Sequence, residues 1–472
     1  MIVCRWPLKR LASIKTSLGN DLNMQAQKSF ILNLKVVTPM FLGGPEKQAE
    51  LRPQSIKGAL RFWFRATHQN YREKEGQLFG SEEHGTGYFS VSLKDKNLLP
   101  NGNVSFNSAA DPLRYVAYGM EKREAVREGS TFSLELRFRY GVAAEDRESI
   151  KRTVWAWLVF GGLGARSRRG FGALCVLPPY DEQLSSSGLG FRSKADLTNS
   201  VTKFINSVNK PSDLPYYSCF SFQSRCLIGP EEVDAKSVLR SIAQKLRDYR
   251  SFEKRKSLTD VHERDLFLSD HDNVKHYLKD GTLPPLPDRI AFGLPHNYYF
   301  KSLVGWAKKN KFDSKTLEKL VSEKIVKQTK DGTNFVRFAE AYHALRNQND
   351  LHARLGAIGL SADKECVVID LWRFSIKSFP TAYINLFSNA DEERRRASPL
   401  FIHIQELENG KACPVVTLLK AKLLPEDGKV MISRKGNTGP PIRGDPDFKP
   451  IDEFLDDLKS NGNYEEISIQ KA

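Results

Sequence analysis

Residues 29–37 (SFILNLKVV) place Phe30, Leu32, Leu34 and Val36 at every second position, the period of a strand with one buried face. The alternation returns in GYFSVSL (87–93) and in STFSLELRFRY (130–140), where Phe132, Leu134, Leu136 and Phe138 share a face. Between the first two, RPQSIKGALRFWFRATHQN (52–70) switches to helical periodicity, with Ser55 as its expected N-cap. DRESIKRTVWAWLVFGG (146–162) predicts a second helix, acidic in its first turn and stopped by Gly-Gly. FGALCVLP (171–178) then predicts a short apolar strand. The order strand, helix, strand, strand, helix, strand is the β-α-β-β-α-β arrangement of a ferredoxin-like domain, an α+β fold. It predicts four antiparallel strands with both helices on one face.

At 472 residues the chain exceeds one core, and two or three domains are expected. Residues 1–28 have weak periodicity and read as an N-terminal extension, 29–180 as the first domain, and the Ser-rich stretch 181–212 as a linker. Residues 213–472 read as a second ferredoxin-like domain with helical insertions, giving a tandem. It opens with a long strand, YYSCFSFQSRCLI (216–228), and an amphipathic helix over 232–250. The charged stretch 251–281 is read as a helical insertion. ASPLFIHIQEL and PVVTLLKAKLL flank a hairpin turn at Asn409-Gly410, and a short acidic helix follows Pro450.

Composition narrows the classes. Hydrophobic residues are 40% and charged residues 27%, ordinary for a globular chain. No run approaches the roughly 18 apolar residues of a membrane span, and the start lacks a signal-peptide core, so a cytoplasmic address without membrane partners is expected. The six cysteines form no C-x-x-C pair and the nine histidines no ligand-like cluster, so no metal is expected. Lys and Arg exceed Asp and Glu by 72 to 56, a net charge of +16, which favours a phosphate polymer or another anionic partner.

Three segments concentrate that charge. On the first helix Lys57, Arg61 and Arg65 are spaced by four and form one stripe, with Gly58 leaving bare backbone beside it. Ile56, Ala59, Leu60, Trp63 and Phe64 fill the opposite arc. The first-turn amides near Ser55, with Arg52 and Lys57, suit a phosphate. Second, GGLGARSRRGFG (161–172) sets Arg166, Arg168 and Arg169 among glycines that include Gly164. A dinucleotide fingerprint would need a third glycine where Ser167 stands and a strand before the loop, and Gly410-Lys411 and Gly428-Lys429 lack the Ser/Thr of a Walker motif. No nucleotide cofactor is expected. What remains is a pliable, amide-rich loop carrying guanidinium forks for backbone phosphates. Third, Arg394, Arg395 and Arg396 precede a strand and are expected to line the same groove. Trp155 and Trp157, two apart on a helix, are expected to leave one ring exposed, and Pro295–Tyr299 is a further small candidate platform.

Together TPMFLGG (38–44), LRPQSIKGALRFWFRA (51–66), LFGS (78–81), GGLGARSRRGFG (161–172) and RRRASPLFI (394–402) resemble the RAMP superfamily of CRISPR–Cas proteins. Within it the chain looks most like the first-named subunit of the type III-B Cmr effector complex. The resemblance implies tandem ferredoxin-like domains in a multisubunit complex. There the subunit grips the 3′ part of guide RNA, or target RNA, without being the nuclease. Some relatives cleave RNA without metal through a histidine, so a guide-processing endoribonuclease stays open, with His68 and His84 as its candidates.

Overall fold

Strand β1 (Ser29–Val36) buries alternate residues, with Phe30, Leu32, Leu34 and Val36 each at most 1% exposed. It pairs with β3 (Thr131–Phe138) on one side and β4 (Leu174–Leu177) on the other, and β3 carries β2 (Phe89–Asn97) at the outer edge. The sheet order is β2-β3-β1-β4, every neighbour antiparallel. Burying each Phe or Leu of its inner face contributes about 1.5–3 kcal/mol. Helix α1 (Pro53–Thr67) packs Ile56, Leu60, Trp63 and Phe64 inward, followed by the short α2 (Tyr71–Phe79). Helix α3 (Ala144–Phe160) runs from β3 toward the glycine-rich loop. The computed structural model describes residues 29–43, 48–108, 110–179, 189–250, 270, 273, 283–293, 296–298, 326–328, 334–336, 382–387, 393–394, 396–422, 429–434, 437–442 and 447–470.

The chain forms two compact units. One contains residues 1–250, 399–422 and 451–472, the other 251–398 and 423–450. In the first unit a second sheet repeats the plan of the first. Helix α4 (Lys194–Ser207) leads to β5 (Arg225–Ile228), α5 (Ala235–Arg250), the hairpin β6 (Leu400–Glu406) and β7 (Ala412–Leu418), α6 (Lys449–Asn461) and β8 (Glu465–Glu466). The order is β6-β7-β5-β8, again antiparallel throughout. The β6–β7 turn is at Asn409-Gly410, where Gly410 takes φ +80° and the Lys411 amide donates to Asn409 Oδ1 at 2.9 Å. One hydrophobic core runs through both sheets, from Phe30 and Trp63 to Phe401, Val415 and Ile467.

In the second unit Glu393–Arg394, Ala382–Phe387, Lys429–Arg434 and Asn437–Ile442 form an antiparallel sheet in that order, and His296–Tyr298 also pairs with Ala382–Phe387. The described part of the insertions is mostly sheet, with a 3-10 helix at Asp288–Phe292 and helical backbone at residues 270 and 273, where helix alone was expected. The stretch 251–281 lies outside the described residues except 270 and 273. Pro295 and Tyr299 of the small candidate platform lie outside them too.

Four local expectations change. Ser55 is not the N-cap of α1. Arg52 is, because Pro53, which has no amide to satisfy, starts the helix one turn earlier. Trp155 and Trp157 are both buried, at 3% and 1%, since α3 is covered on more than one side. Trp155 stacks on Phe204 of α4 at 4.2 Å between centroids. The same packing turns part of the expected linker into structure: Leu197, Val201 and Ile205 of α4 are fully buried. The strand expected over 216–228 is confined to Arg225–Ile228. Upstream, the Ser221 amide donates to Ser224 Oγ at 2.9 Å, a side-chain bond that competes with a ladder. Among the described residues, no helix is long and apolar enough to cross a membrane.

Candidate nucleic-acid interface

Lys57, Arg61 and Arg65 share the outer side of α1 as their spacing requires, but two of them are already bound. Glu75 of α2, 7% exposed, accepts from Arg61 Nη1 at 3.2 Å and from Arg65 Nε and Nη2 at 2.6 and 2.5 Å. Arg61 also donates to the Gly80 carbonyl at 2.7 Å. The hydrogen bond to Glu75 raises the Arg65 pKa further, so its charge is fixed. Lys57 lies over the Phe89 ring, 5.2 Å from its centroid, and burial first, then Arg61 and Arg139, lower its pKa. Gly58 is exposed, with open space where a Cβ would stand. Arg52 donates to the Gly43 carbonyl at 2.7 Å, and Ser55 sits within the first turn. The stripe is a satisfied ionic network more than a row of available cations.

The glycine-rich loop is stapled where it was expected to be pliable. Leu163 N donates to Gly172 O at 2.9 Å, Ala165 N to Phe41 O at 2.8 Å, and Gly172 N to Pro39 O at 2.9 Å. Thr38 Oγ1 donates to Gly170 O at 2.7 Å, and buried His403 places Nδ1 2.6 Å from Gly161 O. Gly164 takes φ +93° with its α-carbon against the Phe41 carbonyl. Gly170, at φ +84°, leaves no room for a Cβ, which would stand 2.5 Å from Leu239. The glycines here serve close packing of the loop between β1, α5 and β6. Ser167–Arg169 form a 3-10 turn entered by Arg166 in the left-handed region, at φ 66°.

That rigid turn sends its arginines in two directions. Arg168 lies over Phe62 and Phe401, 5.0 and 4.4 Å from the centroids. It meets Arg65 electrostatically at Tyr217, whose hydroxyl is pushed up to about 12 by burial. Arg166 instead donates to the Tyr118 carbonyl, and burial lowers its pKa against the pull of Glu121 and Tyr118. Arg169 has no carboxylate within ion-pair distance among the described residues. Burial first, then its neighbours Arg250 and Arg166, bring its pKa down to about 10. Arg250 lies over Tyr115, 5.8 Å from the centroid. Three guanidinium groups thus gather beside Tyr115 and Tyr118, with Glu121 as the acidic group acting on Arg166. Arg169, without a carboxylate within ion-pair distance among the described residues, gains most from a phosphate.

The structure therefore joins Arg65 with Arg168, and Arg166 with Arg169. No contact among the described residues joins Lys57 or Arg61 to Arg166 or Arg169. Arg394 is in the second unit and Arg395 lies outside the described residues. Arg396 is in the second unit as well, where its carbonyl lies against Gly293. Sequence reading missed Arg250, Tyr115, Tyr118 and Tyr217. One signal for Arg250 was present: Lys57-Gly58-Ala59-Leu60-Arg61 recurs as Lys236-Ser237-Val238-Leu239-Arg240, marking α5 as a second copy of the basic helix. In that copy Arg240 is consumed by Asn107 Oδ1 at 2.9 Å and Asp111 Oδ2 at 3.3 Å. A cavity of about 310 Å³ opens next to this region, its walls carrying Arg127, Lys236 and Glu128 beside apolar residues such as Phe171 and Leu239.

His68 is the C-terminal cap of α1. Its Nδ1 lies 3.1 Å from Phe64 O, its ring stacks on Phe64, and burial lowers its pKa to about 4. His84 pairs Nδ1 with Ser81 Oγ at 3.1 Å in an exposed turn. Among the described residues no group of three or more His, Cys, Asp or Glu side chains is placed to hold a metal ion.

Residues 33–175, which contain β1, α1 and the arginine loop, match the RAMP superfamily model. Over that segment the chain is similar to the RAMP superfamily. Two similar proteins are the CRISPR system Cmr subunits Cmr1-1 and Cmr1-2 of Pyrococcus furiosus. The first is 26% identical over 44% of this chain and 66% of its own length, just under two thirds. The second is 26% identical over 31% of this chain and 94% of its own length. The crystal structure of Cmr1 from the same organism aligns with 94% of this chain and 99% of its own, at 15% identity and a TM-score of 0.47. The chain is thus similar in part to Cmr1 subunits, and the loop arginines and the first basic helix fall inside the segment that matches the RAMP superfamily model.

Proposed function

We propose that the chain is a non-catalytic, RNA-binding subunit of a type III-B CRISPR Cmr effector complex. It holds the backbone of guide RNA, target RNA or both. The observation that carries this reading is the Arg166–Arg169–Arg250 cluster, in which Arg169 is partly buried among like charges without a carboxylate partner among the described residues. Protein atoms leave this charge poorly compensated, and a phosphate supplies the missing anion. Arg65 and Arg168 at Tyr217 extend the basic surface toward α1. The sheet orders β2-β3-β1-β4 and β6-β7-β5-β8, each threaded strand-helix-strand-strand-helix-strand, support reading the first unit as a ferredoxin-like tandem. The names of the similar proteins support the Cmr assembly as the setting, with its other subunits as partners; the place of action is the cytoplasm.

The endoribonuclease reading gains nothing from His68, a half-buried cap that is neutral near pH 7. The binding reading is tested by fluorescence anisotropy with single-stranded RNA across a salt series. Arg169→Ala is expected to weaken binding for all sequences and to lower the salt slope by about one ion, whereas Arg52→Ala leaves both nearly unchanged. Unchanged affinity and slope for Arg169→Ala would sink it. Discrete cleavage products from repeat RNA in EDTA would favour the nuclease.

A further inference from the structure

Tyr118 is the most exposed aromatic ring among the described residues, at 72%, and it stands where the guanidinium cluster ends. A single exposed ring is ordinary on a protein surface; what sets this one apart is its place beside the guanidinium cluster. Its backbone is not loose. The short helix Leu113–Val116 ends beneath it, Ala117 N donates to Leu113 O at 2.8 Å, and Met120 N donates to Ala117 O at 2.8 Å. Arg166 holds the Tyr118 carbonyl, and Gly119 turns the chain at φ +81° with its α-carbon facing that same guanidinium. The cation and the Tyr118 backbone are therefore joined by a hydrogen bond. Tyr115, one helical turn earlier, already lies under Arg250. A flat exposed ring on backbone held by Arg166, beside an Arg169 that has no carboxylate within ion-pair distance among the described residues, is an arrangement that binds single strands without reading their sequence. Phosphates meet the cations while a neighbouring base stacks on the ring.

We propose that Tyr118 is a stacking platform for one base of the single-stranded RNA whose phosphates the Arg166, Arg169 and Arg250 cluster holds. The inference rests on the RNA-binding reading above and adds a base contact to it. The test uses the full chain with two fluorescein-labelled oligomers of equal length, one bearing bases and one abasic. Tyr118→Ala is expected to weaken binding of the base-bearing RNA by about five- to a hundredfold while leaving the abasic oligomer unchanged. Tyr118→Phe, which keeps the ring, is expected to bind both as the unaltered chain does. Arg169→Ala is expected to weaken both oligomers and lower the salt slope. Equal binding of the base-bearing RNA by Tyr118→Ala overturns the platform, and so does an equal loss on both oligomers. In either case a retained effect of Arg169→Ala leaves the backbone reading standing. An unaltered chain that binds neither oligomer overturns both.

Discussion

At Glu75 one carboxylate accepts from two guanidinium groups and leaves the triad with a net charge of +1. The arginines keep about a third of their side chains in solvent while Glu75 keeps a tenth, so solvent screens the pair from outside more than the carboxylate. Removing the acid strands two like charges side by side. Glu75→Ala is expected to cost about 1–3 kcal/mol, discounted for that screening, and thermal unfolding measures it. The same variant frees Arg61 and Arg65, so its RNA affinity should become more dependent on salt. A variant as stable as the unaltered chain would show that the stripe does not depend on its internal anion. This is why the sign of a residue is a poor guide to its availability: Lys57, Arg61 and Arg65 read alike along α1, yet only contacts with α2 and β2 decide which of them can meet a ligand.

The loop between α3 and β4 owes its shape to the strand it packs against. His403 of β6 is 1% exposed, bonded to Gly161 at the loop's first residue, and burial holds its pKa at about 4. His68 at the end of α1 is depressed to about 4 for the same reason. Both are neutral in the folded chain near pH 7. The unfolded chain takes up protons near 6.5, so stability is full above that pH and falls as pH drops toward 4. At pH 5 each histidine is expected to cost about 2 kcal/mol relative to pH 7.5. Urea midpoints at the two pH values measure the loss, and His403→Asn should remove roughly half of it. A flat profile would show that these rings are not buried as neutral groups. The single-face alternation of β1 and β3 and the stripe of α1 were legible because each is set by local period alone. The stapled loop was not, because its bonds go to Thr38, Phe41 and His403, which lie 132, 124 and 242 residues along the chain from their partners. Helix α4 was hidden for a related reason: Leu197, Val201 and Ile205 are spaced by four in a stretch rich in Ser, Asn and Lys, too sparse a stripe to stand out from a linker.

Across the whole molecule, the two sheets of the first unit share one threading and differ in what is inserted. In the first repeat the connections after its first helix and after its third strand are residues 68–88 and 139–143. In the second repeat the matching connections are 251–399 and 419–448, and these contain nearly all of the second unit. The insertions explain why strand order in the second half was unreadable: β5 and its partner β7 are separated by the whole of the first insertion. Among the described residues, the core cluster of the first unit draws on segments 29–228, 401–419 and 467, and the further buried side chains of α5 (Val238, Leu239, Ile242) and α6 (Ile451, Phe454, Leu455) belong to that unit too. Arg225 then ties the last elements back, donating to Glu466 at 2.6 Å and to Asp456 at 2.6 Å. A chain in which residues 253–397 and 424–448 are each replaced by a short Gly-Ser linker should therefore unfold in one cooperative transition. Loop-closure entropy changes only by about 0.6 kcal/mol for each doubling of loop length, so shortening the connections brings no large penalty. The shortened chain should also keep the Arg169-dependent binding of single-stranded RNA, because Arg166, Arg169, Arg250 and Tyr118 all remain. Calorimetry and anisotropy read the two outcomes separately. A non-cooperative melt would mean that the insertions complete the fold, while a cooperative melt without RNA binding would move the phosphate contacts into the second unit.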